Sequence, residues 1–168
     1  GVERHYAAGD PELLSWVHVV FTDAFLGSHL VWGAPIPGGP DQYVREWTKA
    51  GELVGVVDPP ASQAELRSQL EAFRTGGILK SDERVAEAVR FIRKPGLPQG
   101  MLPFYKILFA GAVASIPPEY RRMLGLRRAW WPAVTTTRLI LVLVGALLGR
   151  SSTSEDAART RLARLGLL

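Results

Sequence analysis

Residues 6–25, YAAGDPELLSWVHVVFTDAF, hold the sharpest helix start in the chain and its most usable chemistry. Asp10 can accept from the free N–H groups of a first turn, Pro11 loses nothing where an N–H would be unpaired anyway, and Glu12 suits the positive end of the helix dipole. From there Leu13, Leu14, Trp16, Val17, Val19, Val20, Phe21, Ala24, Phe25 and Leu26 leave no wide polar face, the pattern of a buried helix. The remaining polar side chains, Ser15, His18, Thr22 and His29, stack along one side at spacings of three, four and seven, with Phe25 interrupting them.

This stripe has two readings. It is either a thin solvent face or a core histidine bonded to a carbonyl, or else His18 faces a cavity that holds a ligand, with Thr22 and Phe25 beside it as pocket lining. His5, His18 and His29 are too dispersed for a metal pair at i and i+4, and Asp23 lies on another side of the helix, so a non-haem metal site within this helix is not expected. What one histidine in an apolar, aromatic helix can do is ligate haem iron, which asks for an axial nitrogen and a greasy slot.

Outward from that helix the chain reads as helices throughout. Gly33 to Pro40, GAPIPGGP, is a break that neither helix nor strand crosses, and Asp41 opens a second helix with Tyr43, Val44, Trp47 and Leu53 as its apolar side. Ser62 and Glu65 make a capping box for an amphipathic helix from Gln63 to Thr75. Asp82 caps another, with Val85, Val89 and Ile92 inward. An apolar helix from about Pro103 to Ile116 meets Pro117 and Pro118 and restarts as a short helix through Leu124. Its Gly111, Ala112 and Ala114 permit close approach of another helix or a flat cofactor.

Ala133 to Gly149 is the most hydrophobic segment, but its unbroken part is too short for a span, so a buried core helix is expected first and an interfacial one second. Ser151 to Ser154 reads as a linker before a basic tail helix starting at Glu155. With no alternating run that demands a strand, the class is all-α, about seven to eight helices in one domain over residues 1–168, with 150–168 as the tail.

The apolar fraction of 47% and net charge of +4 suit a globular protein, and the absence of cysteine excludes disulfides, thiolate metal sites and thiol nucleophiles. The positive charge is a C-terminal property: from Pro117 onward nine arginines face three acids. Arg121, Arg122, Arg127 and Arg128 surround Tyr120, Trp130 and Trp131, a mixture that suits a phosphate backbone, anionic lipid or a solvated surface with aromatic anchors; no recognition motif accompanies it, so nucleic acid is not expected. Phosphate loops of Walker or Rossmann spacing, a G-x-S-x-G elbow and an H-E-x-x-H helix are absent from the sequence.

The segments Y-x-A-x-DPELLSWVH (6–18), GELVGV (51–56), PPASQAELRSQLEAF (59–73) and LPFYKILFAGAVASIPPEYRRMLGL (102–126) together resemble the C-terminal part of the MpaB-like oxygenase family of bacteria, which includes the rubber oxygenases known as latex clearing proteins. The resemblance extends to about Arg127, and the rest is similar only as an apolar helix followed by a basic tail. It implies a globin-like helical bundle, haem b, and oxygenase chemistry on a hydrophobic, isoprenoid-type substrate.

In that family the proximal haem histidine belongs to an H-x-x-V-R motif ahead of the DPELL helix, with an Arg and Thr motif earlier still; neither occurs in this sequence. The chain is therefore expected to be the second half of a catalytic domain. His18 matches the family's W-V-H histidine in position, as a pocket residue or a substitute iron ligand. Peripheral membrane contact, a homo-oligomer and a cytoplasmic, membrane-associated location complete the expectations. The alternative is a noncatalytic helical interaction module without haem.

Overall fold

The computed structural model describes residues 7, 9–129, 131–148 and 153–167. His5, Tyr6, Trp130, the expected helix end at Gly149 and the linker residues Ser151 and Ser152 lie outside them. Among the described residues the chain is all-α, with eight α-helices and one 3₁₀ turn. They are α1 (Pro11–Trp32), α2 (Gly39–Leu53), α3 (Gln63–Thr75), α4 (Glu83–Arg93), the turn Gln99–Met101, α5 (Leu102–Ser115), α6 (Pro118–Met123), α7 (Ala133–Leu148) and α8 (Thr153–Arg164).

The helices fall into two compact units, the first formed by residues 1–95 and 117–126 and the second by 96–116 and 127–168. In the first, α1, α2 and α3 pack on one another around Val19 and Leu26 of α1, Val44 of α2, and Leu66 and Leu70 of α3. Each such side chain, once fully buried, contributes about 1.5–3 kcal/mol relative to exposure. Side chains satisfy the helix starts as the sequence predicts: Asp10 accepts from the Glu12 and Leu13 N–H groups, Ser62 from Glu65, and Asp82 from Val85. The Glu65 carboxylate of the capping box reaches one residue further back, accepting from Ala61 N–H at 2.8 Å.

The connection between α2 and α3 is fastened by polar bonds that local patterning does not reveal. Asp41 of α2 accepts from Gln63 N–H at 2.9 Å, Thr48 donates to the Pro60 carbonyl at 2.9 Å, and Gln69 donates to the Asp58 carbonyl at 3.0 Å. Three expectations are corrected here. Helix α2 begins at Gly39, inside the expected break, because Gly38 and Gly39 take positive φ of 74° and 80° and turn the chain before Pro40. Leu53 is 87% exposed rather than part of the buried side of α2. Helix α4 has no buried residue, and Ile92 lies outward.

A larger correction concerns α1. Its stripe of His18 and Thr22 is what turns inward, whereas Val17, Phe21, Phe25 and Leu30 are exposed. The polarity of the helix is thus partly reversed relative to the expected all-round burial. Among the described residues it is the one helix long and apolar enough, by length and composition, to cross a membrane, yet its His18, Val19, Thr22 and Leu26 are committed to packing in the first unit.

In the second unit α5 packs along α7. The contact is close because Gly111 has no side chain: a Cβ there would stand 2.2 Å from Thr137 Oγ1. The Thr137 hydroxyl donates to the Ile107 carbonyl at 3.1 Å, so the buried polar atom is satisfied across the helix pair. The small residues of α5 therefore admit a helix. Two further expectations change: α8 starts at Thr153, within the expected linker, and α7 buries Ala133 and Thr137 while its other side stays exposed.

Gly111→Ala is expected to destabilise the protein by about 1–3 kcal/mol through overpacking against Thr137. Gly145→Ala in α7, where a Cβ meets nothing within 4 Å, is expected to stabilise it by about 0.5–1 kcal/mol. Thermal unfolding followed by circular dichroism checks both, and midpoints moving in the same direction would contradict the packing account.

Candidate functional site

The expected site residues divide between the interior and the surface. His18 is 6% exposed and Thr22 is fully buried, whereas Phe25 is 52% exposed. Ser15 is half-buried, and His29 is exposed, its ring donating to the Ala34 carbonyl at 2.8 Å. Thr22 satisfies its hydroxyl locally by donating to the His18 carbonyl one turn back at 2.7 Å. This leaves the imidazole as the unusual group.

The ring of His18 is covered by α2. A Cβ on Gly51 would stand 2.8 Å from Cε1 and 3.0 Å from Nε2 of His18, and 2.9 Å from the Cβ of Pro59. Only glycine lets the two helices approach so closely. Nε2 is buried without a hydrogen-bond partner, an arrangement that typically costs about 1–3 kcal/mol. Burial also pushes the His18 pKa below its ordinary value, which favours the neutral imidazole.

Outside this contact runs an aromatic row. Phe21 and Phe25 have ring centroids 5.9 Å apart, Phe25 stacks on Trp47 at 6.0 Å with an interplanar angle of 13°, and Trp47 is 6.2 Å from Tyr43. Trp47 also lies 6.4 Å from the His18 ring, so it joins the exposed row to the buried histidine. Sequence reading identified Phe25 and the apolar side of α2 but did not pair them, and it missed Gly51 and Pro59. The available signal was the spacing of Trp47 and Gly51, four residues apart and hence on one face of α2.

A second group of titratable side chains joins α1, α3 and α6. Burial raises the Asp23 carboxyl above its ordinary range, against the opposing charge of Arg67. The Tyr120 phenol is raised by burial and by the charges of Asp23, Glu119 and Glu71, with Arg74 opposing. Glu71 and Arg74 form an ion pair on the surface of α3, a geometry that holds the carboxylate low. Both Asp23 and Tyr120 are thereby biased toward their protonated forms.

These residues fit a haem in chemistry but not in space. A neutral imidazole with an unpartnered Nε2 is a competent axial donor, yet that nitrogen is buried and the Gly51 backbone packs against the ring edge that carries it. As packed, His18 does not hold an iron. Among the described residues there is also no group of three or more His, Cys, Asp or Glu arranged for a metal ion.

Two outcomes follow from the His18 contact. Unfolded, His18 gains a proton as pH falls through 6.5; folded, it stays neutral to a lower pH. The folded state then binds fewer protons, and stability declines with falling pH by at most about 1.4 kcal/mol per unit. Asp23 acts with the opposite sign, nearer the carboxylate range, because its folded form retains the proton longer. Melting midpoints between about pH 7.5 and 5.5 should therefore fall for the native chain and flatten for His18→Leu. Gly51→Ala should lower the midpoint at every pH, by about 1–3 kcal/mol of stability.

A search of curated proteins and of solved structures found no match to the chain. A family of known description does match, over residues 1–150, and so spans α1 to α7 together with the aromatic row and the His18 contact. The chain belongs to this family, described as ER-bound oxygenase mpaB/B'/Rubber oxygenase, catalytic domain.

Proposed function

We propose that the chain is part of a haem-dependent oxygenase acting on a hydrophobic, isoprenoid-type substrate, with a globin-like helical arrangement in one domain over residues 1–168 and haem b as cofactor. The observation that carries this reading is the family match over residues 1–150. The aromatic row supports it, since Phe21, Phe25 and Trp47 offer a flat apolar surface to an unsaturated hydrocarbon. When bound, the haem would supply dioxygen activation. In this reading Phe25 contacts substrate, and His18 and Thr22 set the position of α1 against α2 from behind the row.

A second reading makes His18 an iron ligand, favoured by its unpartnered Nε2. It requires the contact with Gly51 to open. Haem titration of the whole chain separates the two. Under the first reading haem uptake gives a Soret band unchanged in His18→Ala; under the second that substitution shifts or abolishes the band. Phe25→Ala is expected to raise KM for a hydrophobic alkene about three- to tenfold with little change in kcat, consistent with loss of apolar contact. Absence of haem uptake would overturn the oxygenase reading for this length of chain and favour the interaction-module alternative.

A further inference from the structure

We propose that the outward face of α7 is a docking surface for an anionic phospholipid bilayer. Helix α7 is apolar on both sides. Ala133 and Thr137 face α5 and are buried, while Leu139, Val142, Leu143 and Leu147 are 60–78% exposed. These four recur at intervals of three, one and four residues, so they form one continuous strip. Arg138 is the one charged residue of the helix and precedes the strip.

The charge of the second unit selects the occupant. Its residues 96–116 and 127–168 contain eight basic and two acidic side chains, a net of +6, leaving the first unit at −2. A second copy meeting this face would bring +6 against +6. An anionic membrane brings the opposite sign, and each Lys or Arg near such a surface contributes about 1 kcal/mol. The sixteen residues of α7 extend about 24 Å, less than the hydrocarbon thickness of about 30 Å, which fits a helix lying in the interface instead of spanning it. Arg127 and Arg128, exposed just before α7, supply charge at its N-terminal end, and Arg161 and Arg164 of α8, further along the same unit, add to its positive balance.

The proposal does not depend on haem or on oxygenase activity, and its test needs neither. The whole chain is sedimented with vesicles of phosphatidylcholine alone and with about 30% phosphatidylglycerol, at low and high salt. Binding at least tenfold stronger to the anionic vesicles at low salt, reduced by salt and reduced at least tenfold in Leu139→Glu/Val142→Glu, is the expected result. Because both positions are exposed, circular dichroism should show that variant folded.

A second measurement covers the case in which it does not fold. The sequence has no cysteine, so Val142→Cys introduces a single thiol for an environment-sensitive dye. Its emission should shift to the blue on anionic vesicles, while the same dye at Glu87→Cys on the exposed side of α4 should not respond. No binding at low salt, equal binding by the native chain and a folded double variant, or no dye response at position 142 would overturn the proposal. Concentration-dependent self-association abolished by the double variant, without vesicle binding, would also overturn it and identify a second copy as the occupant.

Discussion

The first unit depends on the approach of the α2 backbone at Gly51 to the imidazole edge of His18. A single hydrogen in place of a side chain at Gly51 sets the distance between α1 and α2. That distance brings Val19 and Val44 into one core with Leu66 and Leu70. It also places Trp47, one turn before Gly51, where it stacks on Phe25. The apolar core and the exposed aromatic row are two sides of one helix contact.

The same contact explains why α1 is turned as it is. A helix with apolar residues nearly all round has no unique buried face on hydrophobicity alone, and several rotations about its axis would bury similar area. Shape decides among them. The imidazole finds a matching gap at Gly51, and Thr22 can be buried because its hydroxyl bonds the His18 carbonyl within the same helix. Val17, Phe21 and Phe25 are then left outward, and what loses burial in the fold becomes surface available to a hydrophobic molecule.

The second unit repeats this logic with different chemistry. Gly111 of α5 admits Thr137 of α7, and the hydroxyl is satisfied at the Ile107 carbonyl. Once that side of α7 is fixed, its equally apolar opposite side remains uncovered, next to the most basic part of the chain. Membership of the oxygenase family does not by itself account for this combination of exposed leucines and arginines.

By itself the sequence determined the helical class and most of the helix boundaries, because caps, proline stops and apolar spacing act within a few residues, and its matching segments determined the family. Asp10, Ser62 and Asp82 each bond an N–H no more than three positions away. It also singled out His18, Thr22 and Phe25, although their shared stripe did not reveal which would be interior. Only the tertiary structure decided that His18 is closed over by Gly51, that Phe25 belongs to a row with Trp47, and that α7 leaves a leucine face exposed. The physical reason is that apolar helices offer several faces of comparable hydrophobicity, and the choice among them falls to close packing between residues far apart in the chain.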